Sequence, residues 1–171
     1  FVNQSSLSDC QEVTSLVQQI TENPEQSSSL HWIDLEEFDP LQSSMLAERH
    51  LASSKLVHAT YPRAIAVCDE LSRSVMVNEE DHIRIQSLRP GLQLEEVFED
   101  VKALDSSIED FIAYAFHDEF GFLTACPTNL GTGARFSVML HLPGLRLIKD
   151  LQRIRHACEA MGIAIRGYRG E

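Results

Sequence analysis

The chain predicts an α+β fold, a mostly antiparallel β-sheet flanked by α-helices. Three observations lead there. Short apolar or alternating segments are joined by brief polar turns, which is the pattern of hairpins. Between them stand segments whose apolar residues recur every three or four positions, the period of a helix packed on one face. Strand groups separated by long helices give helices set against an antiparallel sheet. A chain of 171 residues is one domain by length and can bury a core without disulfides.

The elements follow in order. Ser8-Asp9-Cys10-Gln11 has capping-box spacing, and Val13, Leu16, Val17 and Ile20 then share one helical face. Asn23 to Ser29 reads as a polar loop, and His31 to Leu35 as a short strand anchored by Trp32. Asp39-Pro40 pairs an N-cap with proline at the first helical position, which starts a helix running to about His50. Ala64 to Cys68 and Ser74 to Val77 are paired strands around the polar turn Asp69 to Arg73. Ile83 and Ile85 alternate with Arg84 and Gln86, so a further strand is half-buried, with Arg84 on the face opposite the isoleucines. After Pro90-Gly91, Leu94, Val97, Phe98, Val101, Leu104, Ile108, Phe111 and Ile112 mark the clearest helix. Phe122 to Ala125 and Arg135 to Leu142 read as strands. Leu147, Leu151, Ile154, Cys158 and Met161 mark the last helix, and Ile163 to Arg166 a final strand.

Composition narrows the function. Hydrophobic content of 43% and charged content of 23% are ordinary for a globular protein. A net charge of −12 argues against nucleic acid, whose binding rests on phosphate neutralisation. A local arginine cluster can still hold a nucleotide. Cys10, Cys68, Cys126 and Cys158 form no CxxC pair, so neither a zinc site nor a redox pair is indicated, and no metal ligand set is predicted. Scattered thiols fit a reducing cytoplasm. No signal peptide or membrane-length apolar run is visible. The chain begins at Phe1 and stops at Glu171, and both ends read as truncations of a longer domain.

Three segments carry the chemistry. In NEEDHIR (Asn78 to Arg84) the acids follow Val75 and Val77 and precede Ile83 and Ile85. Adjacent acids are ordinarily a solvated turn, but at a strand end a carboxylate is rigidly aimed. His82 alone is more often a hydrogen-bonded structural histidine than a ligand or base. In CPTNLGTGAR (Cys126 to Arg135) a Cys-Pro is followed by Asn129, Gly131, Thr132 and Gly133, a tight loop of the kind whose backbone N–H groups bind anions. It lacks the GK[ST] of a Walker A loop. Arg135 follows the loop, and an arginine fork suits phosphate oxygens. In RGYRGE, Arg166 and Arg169 bracket a turn before Glu171.

In this order the segments resemble the phosphagen (guanidino) kinase superfamily, whose patterns are Asn-Glu-Glu-Asp-His-x-Arg, Cys-Pro-(Thr/Ser)-Asn-Leu-Gly-Thr-x-x-Arg and Arg-Gly-x-x-Gly-Glu. FGFL (Phe120 to Leu123) and His141-Leu142-Pro143 extend the likeness, which spans roughly Glu48 to Glu171. Glu48-Arg49-His50-Leu51, HIRIQ (His82 to Gln86) and PGLQL (Pro90 to Leu94) are most similar to bacterial protein-arginine kinases. Met76 stands where creatine and arginine kinases usually have Trp; Arg169 is instead like the arginine kinases.

The resemblance implies the guanidino kinase catalytic domain, a glutamine synthetase-like fold, here as a single partial domain over 1–171. It implies an ATP-dependent phosphotransferase acting on arginine residues in proteins, with ATP and Mg²⁺, the metal riding on phosphates and water. By the same likeness Glu80 and Glu171 hold the substrate guanidinium and Cys126 is the reactive cysteine beside it. Arg84, Arg135 and Arg166 clamp the nucleotide phosphates, with His82 nearby. The partners implied are ATP and arginine-containing proteins, with neither nucleic acid nor membrane, and the full-length protein is compatible with a homodimer. A kinase for a small guanidino compound such as free arginine, and an inactive homologue serving as a binding module, stay open at this point. The family's upstream Ser-x-Arg-x-Arg segment and the strand after its second catalytic Glu are not in this sequence, so the isolated chain is expected to bind ATP weakly and turn over poorly.

Overall fold

The hairpins form one antiparallel meander in the computed structural model, which describes residues 1–23, 30–147 and 151–167. The chain divides into two units, Phe1–Arg135 and Phe136–Glu171. In the first, strands β1 (Leu30–Asp34), β2 (Ala64–Cys68), β3 (Arg73–Val77) and β4 (Ile83–Ser87) lie in sequence order, each antiparallel to the next. Their helices are α1 (Leu7–Thr21), α2 (Pro40–Glu48), α3 (Ser54–Val57) and α4 (Leu94–Glu109).

Strand periodicity sorts the core into two layers. Ile65, Val67 and Met76 join Leu46 of α2, Leu56 and Val57 of α3, and Leu35 and Leu51. On the other face Ala64, Ala66, Val75 and Val77 meet Val17 and Ile20 of α1 and Leu104 and Ile108 of α4, with Ile83 and Ile85 packed alongside. Strand β2 is buried throughout, so its sequence AIAVC is a continuous apolar run rather than an alternation. Arg84 and Gln86, alternating with the isoleucines, fall on the α2/α3 face. The Gln86 side chain there donates to the carbonyls of His50 and Leu51 at 2.6 and 3.0 Å.

Local signals set the helix ends. The capping box of α1 is Ser6 with Asp9, not Ser8 with Gln11: the Asp9 N–H donates to Ser6 Oγ at 3.2 Å and the Ser6 N–H to Asp9 Oδ2 at 2.9 Å. The charged acceptor suits the positive end of the helix dipole. Asp39 and Pro40 start α2 as predicted, with Gln42 closing the box. The helix stops at Glu48, and His50 turns the chain away at φ 58°. Helix α3 was not readable, being only four residues long; Ser53 caps it by accepting from the Leu56 N–H at 3.1 Å.

Three predicted strands differ. Only Gly121–Phe122 of the FGFL region is a strand (β6), paired with Phe116–His117 (β5). Beyond Leu123 the polar groups turn to other partners: Thr124 Oγ1 donates to the Cys126 carbonyl and the Ala125 N–H to the Asp81 carboxylate. Arg135 to Leu142 and Ile163 to Arg166 form no strand among the described residues. Alternation assigns residues to two faces; a strand also needs a hydrogen-bonded neighbouring strand, which alternation does not record. Phe136, Val138, Leu140 and Leu142 are accordingly exposed.

The second unit contains helical residues Pro143–Leu147 (α5) and Leu151–Ala160 (α6), and the predicted last helix falls on α6. Residues 148–150 lie outside the described set, as do 24–29 of the predicted polar loop. Among the described residues no helix is long and apolar enough to cross a membrane.

Candidate active site

The acids of NEEDHIR occupy the loop between β3 and β4, closed by the Asn78 N–H on the His82 carbonyl (2.9 Å) and the Glu79 N–H on the Asp81 carbonyl (3.1 Å). Asn78 takes a left-handed conformation, φ 58°, which asparagine tolerates better than most residues. Its side chain is fully buried.

The structure gives the three adjacent acids different surroundings. Glu79 is buried, 5% exposed. Its carboxylate accepts from Ser53 Oγ at 2.6 Å and from the Glu80 N–H at 2.8 Å, with Arg84 Nη1 at 3.5 Å. The Tyr61 hydroxyl donates to its carbonyl at 3.2 Å. Burial alone would push the Glu79 carboxyl up. The Ser53 hydroxyl, the Glu80 amide and the charges of Arg84 and Lys55 outweigh it and hold the group below its ordinary value. Asp81 accepts the Ala125 N–H at 2.5 Å. Glu80 is left facing outward, its side chain 44% exposed, with Lys55 Nζ at 4.0 Å. Two acids therefore build the loop and one is presented by it.

Arg84 sits on β4 opposite Met76, on the α2/α3 face, where its contact with Glu79 restrains the guanidinium. His82 is half-buried, with Nδ1 2.8 Å from Asn78 Oδ1 and Nε2 3.2 Å from Ser5 Oγ. Burial is the largest cause holding its pKa below the ordinary value.

The Asp81–Ala125 bond joins this loop to the second motif. Glu80 precedes one partner and Cys126 follows the other, so the structure brings these two predicted residues to neighbouring segments. Cys126 is half-buried, its Sγ 2.9 Å from Thr128 Oγ1, at the start of a 3₁₀ turn over Pro127–Asn129. The glycine loop beyond is seated on β6: the Phe122 N–H donates to the Gly131 carbonyl at 2.9 Å. At Gly121 a Cβ would lie 2.5 Å from the Gly131 carbonyl oxygen, and φ is +73°, so only glycine fits. Arg135 follows the loop and is exposed.

Arg166 lies in the second unit, exposed, in a segment without regular structure. Glu171, with Tyr168 and Arg169, lies outside the described residues. Sequence reasoning singled out Glu80 by resemblance and missed Ser53 and the structural parts of Glu79 and Asp81. Ser53 carried one signal, a serine three residues before Leu56 at a helix start. Nothing in the sequence pointed to Lys55. The arrangement offers one outward carboxylate on a fixed loop, suited to bidentate contact with a planar cation, beside a thiol and a glycine loop.

Comparison with known proteins bears on that chemistry. The family described as ATP:guanido phosphotransferase, C-terminal catalytic domain, matches residues 12–171. A protein-arginine kinase of Pelotomaculum thermopropionicum is 43% identical over 152 residues, which are 87% of this chain and 43% of that protein. One from Geobacillus kaustophilus is 45% identical over 139 residues, 81% of this chain and 38% of its own length. The chain thus spans less than half the length of these curated relatives. Among solved structures, the duplicated taurocyamine kinase from Schistosoma mansoni with bound transition state analog components matches with a TM-score of 0.89 at 24% identity, over 100% of this chain and 25% of that one. At that identity the likeness concerns the fold.

Proposed function

The chain belongs to the ATP:guanido phosphotransferase family, matching its C-terminal catalytic domain, and on that premise we propose that the protein carrying it moves the γ-phosphoryl group of ATP to the guanidinium of arginine residues in proteins. The observation that carries this reading is the outward Glu80 on a loop fixed by its neighbours. The printed names of the curated relatives, protein-arginine kinase, supply the substrate class.

The chemistry is chiefly positioning and charge stabilisation. A guanidinium stays protonated in water. Glu80 orients it through charge-assisted hydrogen bonds and accepts its proton as the N–P bond forms. Arg84, held by Glu79, and Arg135, beyond the glycine loop, serve the phosphates. Arg166 keeps a phosphate role and Glu171 the second carboxylate role from their motif alone. Cys126 lies by the guanidinium in this reading, and His82 by the nucleotide. Mg²⁺ neutralises phosphate charge when bound. The ion would be carried on the ATP phosphates and water. We place the protein in the cytoplasm, where its thiols stay reduced.

The test is to incubate the full-length protein with Mg·ATP and protein substrates and map the products by mass spectrometry under conditions that preserve acid-labile phosphate. Phosphoarginine on protein is expected. Phosphorylated Ser, Thr or Tyr without phosphoarginine, or phosphorylation of free arginine alone, would overturn the reading.

A further inference from the structure

We propose that Asn78 is a positioning residue for Glu80, a role that rests on the phosphotransferase reading: its buried amide locks the base of the acid loop and fixes His82 as the Nδ1–H tautomer. The argument begins with which way the amide faces. Its nitrogen lies 2.9 Å from the Cys10 carbonyl and 2.9 Å from the Pro62 carbonyl, with Thr14 Oγ1 at 3.1 Å. Carbonyl oxygens only accept, so the NH₂ end must face them. The amide oxygen is thereby turned to His82 Nδ1, 2.8 Å away. An oxygen acceptor there requires the hydrogen on Nδ1.

One side chain thus ties the start of α1, the segment entering β2 and the last residue of the loop. The main chain adds a second constraint, since the left-handed φ of 58° sets the direction in which the loop leaves β3. Glu80 lies two residues on. Its carboxylate has an exposed lysine at 4.0 Å as its charged neighbour, so its aim is inherited from the loop. A reacting group displaced by about an ångström loses on the order of a hundredfold in rate, which makes the anchor of the loop part of the catalytic design.

Two variants of the full-length protein separate this from simple stability. Asn78→Asp keeps the shape but sets a carboxylate oxygen against two carbonyls. Asn78→Gly keeps the left-handed backbone without strain and deletes the amide. Histidine ¹⁵N spectra report the tautomer, and steady-state kinetics report kcat and KM. In the wild type His82 is expected as Nδ1–H, and in Asn78→Gly as the intrinsically commoner Nε2–H. The kcat of Asn78→Gly, per folded enzyme, should fall at least tenfold. An Nε2–H tautomer in the wild type, or an unchanged kcat in a folded Asn78→Gly with a lowered melting temperature, would overturn the proposal and leave the functional reading standing. A wild type that makes no phosphoarginine would defeat that reading and the catalytic role together; the tautomer spectra would still decide whether Asn78 holds His82.

Discussion

The two motif loops of the first unit are held by different means. The acid loop, Asn78 to His82, is fixed by side chains: Asn78 reaches α1 and Pro62, Glu79 reaches Ser53, and Asp81 reaches Ala125. The thiol and glycine loop, Cys126 to Arg135, is seated by backbone approach, with Gly131 against Gly121 and Gly133 at φ 65°. The first arrangement uses up most of its polar groups to aim one carboxylate. The second keeps main chain close to main chain, which suits the phosphate-binding role proposed for it. A guanidinium needs a fixed direction, because proton and phosphoryl transfer demand one geometry. A phosphate chain needs many donors, each replaceable.

The contrast is broken most strongly at Glu80. If the loop exists to present it, Glu80→Gln lowers kcat by about 10²–10⁴, the range for a lost general base. The same change should leave the melting temperature nearly constant, because the side chain is 44% exposed. Activity assays with thermal melts on the full-length protein check both. A comparable loss of stability would show that Glu80 also builds the loop.

Glu79→Leu should do the reverse. It removes a buried acceptor and leaves the Ser53 hydroxyl, the Glu80 N–H and Arg84 without it. A cost of about 3 kcal/mol is expected for breaking such a buried, charged network. Thermal or urea unfolding measures it. A change below about 0.5 kcal/mol would mean that Glu79 is not structural.

The sequence carried the frame of this site further than its working parts. The strands β1 to β4, the Asp39-Pro40 helix start and the α4 face were readable, because burial on one or two faces writes a period into the residues. The Phe122 to Ala125, Arg135 to Leu142 and Ile163 to Arg166 segments were misread for the same reason, since periodicity records faces and not partners. Within Glu79-Glu80-Asp81 no rule of composition separates builder from binder. That depends on Ser53 and Ala125, 26 and 44 residues away from their partners in the loop. The roles of Arg166 and Glu171 rest on motif alone.

At the glycine loop, Gly121→Ala combines a strained φ of +73° with a Cβ 2.5 Å from the Gly131 oxygen. Gly91→Ala has a similar φ, +78°, in open space. The second should cost about 1 kcal/mol, the left-handed penalty alone. The first should cost more and should speed alkylation of Cys126 as its loop is pushed off β6. Equal costs and equal alkylation rates would show that the Gly121–Gly131 contact does not seat the loop.

Acid should weaken the acid loop in two stages. The folded pKa of His82 is depressed chiefly by burial, so the unfolded chain takes up its proton first. Stability is full above the ordinary histidine value of about 6.5 and falls as pH drops through the folded value. Glu79 is also depressed, and its contribution is lost in the same direction, below the ordinary glutamate value of about 4.3. Melting temperatures measured across pH should show both steps. His82→Gln should erase the upper one; a step that survives belongs to another group.

The smallest effect is expected at Lys55. Its Nζ is 4.0 Å from Glu80 Oε1, and the two side chains are 56% and 44% exposed. An exposed pair at that distance is worth less than about 1 kcal/mol, because water and salt screen it. Lys55→Ala should therefore shift the melting temperature by only about 1–2 °C, in contrast to Glu79→Leu. Its kinetic sign is the informative part. If Glu80 receives a guanidinium, the lysine is a competing cation, and removing it should lower the KM for an arginine-bearing protein by a small factor, more at low salt than at high salt. The KM for Mg·ATP should not move. A raised KM for the protein substrate would show that Lys55 helps to hold that substrate, and the outward face of the loop would then have two contributors where the geometry assigns one.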